Sequence, residues 1–197
     1  MPAYRSVPFF LLALCLATFT AQAGRDVDFG ASVSANDPAE LYLEISSRYF
    51  EQDRQALQRL AARLVDPDDL AVVLFIDQHS DKDVDFILTL QRRGLSWWEI
   101  AQKARLRPEI WFVPTQHQPG APYVEVYNDW EKHKRDRSKL VVSDADAQHL
   151  VALRILHEYF DLPVETAMEL RADGANLRWL LADQYDKRHG RGIASSR

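Results

Sequence analysis

Apolar positions along this chain recur mostly at helical spacing, and polar or glycine-rich breaks separate them into short segments. Leu41, Ile45 and Tyr49, then Leu57, Leu60 and Leu64, form such stripes behind Asn36-Asp37-Pro38, where a cap precedes a proline at the first helical position. The pattern predicts one long helix or two short ones across 38–65. Asp66-Pro67-Asp68-Asp69 repeats the start signal, with acids at the positive end of a helix dipole, and opens a helix from Leu70 to about His79. Asp81 to Asp83 predicts a cap for Val84 to Arg93, and Gly94 a left-handed stop. Ser96-Trp97-Trp98-Glu99 has the form of a capping box for a helix ending near Leu106. Four prolines and Gly120 between Arg107 and Pro122 rule out continuous helix there and predict an irregular connection, with a short turn near Glu109 to Phe112. Helices follow over about 123–139, 144–160, 163–173 and 177–188, with Ser143, Pro163 and Asn176 as start signals and Gly174 as a stop. Only Leu140 to Val142 reads as a strand.

A second pattern spans the helices. Shifting 70–101 onto 150–181 without a gap pairs Leu70 with Leu150, Asp81 with Asp161, Val84 with Val164, Leu90 with Leu170 and Gly94 with Gly174. Ser96 meets Asn176, both cap residues, and Trp97 and Ile100 meet Leu177 and Leu180. The expected fold is an all-α irregular bundle, built from a duplicated three-helix unit at about 66–106 and 144–188 plus N-terminal helices. One unit buries too little by itself, so a single domain over 36–190 is expected.

The first residues change the expected address. Arg5 precedes the apolar run Val7 to Phe19, and Ala21-Gln22-Ala23 gives the small-x-small pattern of a signal-peptide cleavage point before Gly24. The run is too short to span a hydrocarbon layer of roughly 30 Å. The expectation is a signal peptide at 1–23, a flexible mature start at 24–35, and a flexible tail at 191–197. Cys15 is the only cysteine in the sequence, and Leu14 before it departs from lipoprotein processing, so the mature chain has no thiol. The product is expected in the periplasm or secreted, and not as an integral membrane protein. Removing 1–23 takes away one of 24 basic residues against 29 acidic ones, which leaves −6 and argues against a general nucleic-acid binder.

Around Val164-Glu-Thr-Ala-Met-Glu-Leu-Arg-Ala-Asp-Gly and Arg93-Gly-Leu-Ser-Trp-Trp-Glu-Ile-Ala the chain resembles small exported all-helical bacterial proteins of unknown function, with repeats of the form V-x5-L-R-x2-G-x2-W-x-[ED]-I-[AS]. The resemblance implies export and brings no catalytic residues. The second copy departs from it, with Leu181 at the alanine position and Trp179 shifted by two.

Candidate chemistry is sparse. Asp77, His79, Asp81, Asp83 and Asp85 alternate like a calcium loop, but Phe86 and Arg92 stand where glycine and glutamate are needed, so capping is the better reading. His157-Glu158 lacks the second histidine of a zinc-protease helix, because Asp161 occupies its place. No pattern calls for a metal or a cofactor. The segment from Glu99 to Trp111 looks like a helix-turn-helix, though with Arg105 in place of the turn glycine and a second helix cut short by Pro114. The favoured reading is a non-enzymatic binding or structural module; a periplasmic enzyme using scattered carboxylates and a DNA-binding protein are the alternatives. Its contact candidates are Trp98 and Trp179, which the repeat places at the third helices, and Trp130 with the basic run Lys132, Lys134, Arg135 and Arg137. The expected partner is an envelope protein or a polyanion.

Mass spectrometry of the exported protein is expected to find Gly24 at the N-terminus; an intact Met1 form retained in the cytoplasm would refute export.

Overall fold

The computed structural model describes residues 38–189; the expected signal peptide at 1–23, the expected mature start at 24–35, the start signals Asn36 and Asp37 and the tail at 191–197 lie outside the described residues. Two helices form the centre, α3 (Asp69–His79) and α7 (Asp144–Glu158). From Leu70 to Ile76, α3 carries seven consecutive apolar residues, all buried, and a helix with no polar face in such a stretch has to be enclosed. In α7, Leu150, Val151, Leu153, Ile155 and Leu156 are buried in turn. Each large apolar side chain so enclosed contributes roughly 1.5–3 kcal/mol relative to exposure. The two helices pack on each other. Around α3 lie α1 (Pro38–Tyr49) and α4 (Val84–Arg92), and α2 (Arg54–Ala61) packs on α1. Around α7 lie α5 (Trp97–Lys103), α8 (Val164–Ala172) and α9 (Leu177–Arg188). The remaining helix, α6 (Val124–Lys132), is tied to the irregular connection through the Tyr127 hydroxyl, which donates to the Val113 carbonyl at 2.8 Å.

The protein is all-helical, with no strand among the described residues. The 38–65 segment breaks into two helices at Glu51, which adopts a left-handed φ of 53°. The expected capping box forms at Ser96 with Glu99, and a second forms at Ser143 with Asp146. Asp83, not Asp81, caps α4 by accepting from the Phe86 N–H at 2.8 Å. Asp161 is no cap either; it takes a left-handed φ of 57° after α7. The helix expected to reach residue 139 stops at Lys132, because Arg137 folds back and donates to the Trp130 carbonyl; 137–139 form a 3-10 turn. Leu140 to Val142 is extended but unpaired. Its alternation is real, with Leu140 and Val142 buried and Val141 70% exposed, yet the inward side chains join the helical core and no strand lies beside it among the described residues.

The 80-residue spacing recurs in backbone geometry. Val84 and Val164 open α4 and α8, and Trp97 and Leu177 open α5 and α9. Gly94 and Gly174 have φ of 82° and 92°. At both stops the glycine N–H and the next N–H close the same pair of bonds, to Gln91 and Leu90 and to Arg171 and Leu170. The first helices differ, with 11 residues in α3 against 15 in α7, and α3 ends without a left-handed residue. The agreement covers the second helix, its stop and the start of the third.

A β-carbon at Gly94 or Gly174 would meet nothing within 4 Å, so the strain of an alanine there is purely torsional. Gly94→Ala and Gly174→Ala are each expected to lower unfolding stability by about 1 kcal/mol in urea titrations.

Candidate functional site

Leu180 and Leu181 anchor α9 in the core, and at 100° per residue this turns Trp179 outward. Its indole is 55% exposed. Asn176 caps the helix by accepting from the Arg178 and Trp179 N–H groups, and Arg178 donates both ways to the Asp68 carboxylate at 2.8 and 2.9 Å. The turn that carries Trp179 is therefore fixed to the start of α3. Just upstream of that start, Val65 is 98% exposed.

Trp98 does not join this face. It is 5% exposed, with its ring 6.4 Å from that of Trp111, a buried residue of the 3-10 turn Pro108–Trp111. The turn covers a side of α5 that periodicity alone leaves at the flank. The same observation corrects the helix-turn-helix pattern. Arg105 does take the left-handed φ of 61° that such a turn needs, but the would-be recognition helix is this four-residue turn with its tryptophan facing inward.

Trp130 and the basic run are engaged locally. Phe112 stacks on Trp130 at 4.2 Å between centroids and 22° between planes, and the Arg137 guanidinium lies over the indole at 3.1 Å. Lys132, Lys134 and Lys139 stand within 4 Å of Asp129, Glu131 and Asp136, one turn away. Neither Arg135 nor Arg137 has an ion pair among the described residues, and Arg137 is held by Trp130 instead. As a free cationic face the run is weaker than its sequence.

Among the described residues, three concave surfaces bear on a site. The first, about 260 Å³, lies between α2, α3 and α4, lined by Leu57, Arg59, Leu60, Leu74 and Asp77 among others. The others, about 400 and 100 Å³, lie on either side of His117-Gln118-Pro119. The smallest contains two carboxylates, Glu165 and Glu169. Glu165 is held below the usual glutamate range, first by accepting from the Gln116 N–H at 2.9 Å, and a general acid needs the opposite shift.

The carboxyls shifted upward are Asp69 and Asp77, each mainly by burial. Asp69 accepts from the Trp97 indole Nε1–H at 2.8 Å, from Gln148 Nε2 at 2.9 Å and from Gln91 Nε2 at 3.2 Å, and it lines none of the three surfaces. Asp77 opens onto the first groove with no second acid or histidine beside it there. Of the calcium-like run, Asp83 caps, Asp85 pairs with Arg63 at 2.5 Å, and the His79 ring meets the Phe75 carbonyl, so the side chains are spent separately. No protein family, curated protein or solved structure matches the chain. The groove between α2 and α3 was not legible in sequence, because Arg59 and Asp77 belong to helices whose packing no spacing reveals.

Asp69→Ala leaves the buried Trp97 indole N–H without its acceptor, and is expected to cost about 2 kcal/mol. Because the folded carboxyl titrates above the unfolded one, the native state holds a proton in that window that the unfolded chain has lost. Wild-type stability should therefore gain on Asp69→Ala as pH falls through the raised pKa, a widening readable from urea midpoints at several pH values.

Proposed function

We infer that the protein is an exported, non-catalytic helical module of the cell envelope that binds a protein partner through the face around Trp179. The observation that carries this reading is the exposed indole on a helix turn fixed by the Asp68–Arg178 pair. Tryptophan is concentrated at interface hot spots, and a pre-ordered aromatic loses little freedom on docking. Export rests on Arg5, the apolar run and Ala21-Gln22-Ala23. The enzyme alternative gains nothing from the carboxyls, since the two with raised pKa sit apart, one enclosed by donors and one without a partner acid. The polyanion alternative is weakened by the local pairing of the lysines. The resemblance to exported helical proteins fits the same reading.

Two substitutions separate a contact residue from a packing residue. Trp179→Ala is expected to change stability by no more than about 0.5 kcal/mol, and Trp98→Ala to cost about 3–5 kcal/mol, both by chemical denaturation. A photo-reactive residue at position 179, introduced in the exporting cell, should give a discrete adduct, while one at exposed Lys187 on the same helix gives none. No adduct at 179, or the same adduct at both positions, overturns the reading.

A further inference from the structure

The groove between α2, α3 and α4 carries charges that the fold does not use. Its floor is apolar, formed by Ala56, Leu57, Leu60, Leu74 and Val84. Asp77 lines it from the last turn of α3, at the negative end of the helix dipole, half-buried and with Asp83 as a repelling neighbour. No side-chain hydrogen bond or ion pair reaches it among the described residues, and Asp83, not Asp77, caps the next helix. Across the groove, Arg63 in the turn after α2 is paired with Asp85, whereas Arg59 on α2 has no carboxylate partner among the described residues, Asp77 included. A cation and a half-buried carboxylate thus line one small groove without neutralising each other. For stability alone, placing a carboxylate there is unfavourable on three counts: burial, dipole and a like charge.

We propose that this groove binds a small zwitterion with an apolar side chain, of amino-acid or dipeptide size. Its carboxylate meets the Arg59 guanidinium, whose planar fork suits a carboxylate. Its ammonium meets Asp77 and the terminal carbonyls of α3, where a cation is favoured. Its side chain lies on Leu57, Leu60 and Leu74. A volume of about 260 Å³ lies just below the range of roughly 300–1,000 Å³ that holds drug-sized ligands, which sets the size class. A ligand with one charge leaves either Arg59 or Asp77 without a partner. The site is separate from the Trp179 face and does not depend on it.

The test is calorimetric titration of the mature protein with L-leucine and with L-leucyl-L-leucine, beside leucinamide and 4-methylpentanoate, which keep the side chain and one charge each. At least one zwitterion is expected to bind, and each single-charge analogue to bind about tenfold more weakly or worse. Arg59→Gln and Asp77→Asn should each weaken the zwitterion by about tenfold or more, with the thermal midpoint close to that of the wild type for Arg59→Gln and no lower than it for Asp77→Asn, and Trp179→Ala should bind as the wild type does. The response of the two zwitterions assigns the size. Absence of heat with both up to about 10 mM, ten times a millimolar Kd, overturns the proposal. So does equal binding of a single-charge analogue, or binding that neither substitution changes.

Discussion

N–H donors from three helices converge on one buried carboxylate, and much of the bundle's geometry follows from that. Asp69 sits in the first turn of α3, and its acceptors are filled by Trp97 from α5, Gln148 from α7 and Gln91 from α4. A carboxylate taken out of water is costly unless such donors surround it, and removing any of them exposes that cost. The arrangement therefore fixes which turn of each helix faces α3. Trp97 is held a second time, because its backbone N–H donates to Asp144 at the start of α7 at 2.7 Å. Helices that apolar packing alone would let slide past one another acquire a register.

A second polar clamp does similar work at the other end of α7. Arg154 donates to the Ile110 carbonyl at 2.6 Å and to Glu158 at 2.5 Å, and the Tyr49 hydroxyl donates to the same Glu158. This draws the 3-10 turn and α1 onto one helix. The irregular connection is secured at further points, by Gln116 on Glu165 and by Gly120, whose missing β-carbon lets the chain come close to Ala172 on α8. A β-carbon there would stand 3.0 Å from that of Ala172.

With the polar groups of the frame so used, the unused ones stand out. Arg178 is spent on holding α9 to the start of α3, which leaves Trp179 presented to solvent on an ordered turn. Arg63 is spent on Asp85, which leaves Arg59 and Asp77 facing a shared groove. Conversely, Trp130, Arg137, Lys132 and Lys134, which sequence offers as a binding surface, are occupied by stacking and by acids one turn away.

Local chemistry was decided by the sequence. The capping box at Ser96, the helix start at Ser143 and the stops at Gly94 and Gly174 all follow from contacts within about one helical turn, which residue order alone specifies. The all-helical class followed for the same reason. Tertiary packing decided what spacing cannot express. Asp68 and Asp69 read as acids at a helix start, but their partners lie 110 and 28 residues away. Trp98 reads as a flank residue until the Pro108–Trp111 turn closes over it, and Leu140 to Val142 reads as a strand until helices accept its inward side chains. Burial and long-range pairing depend on which surfaces meet. That information exists only once the helices have packed.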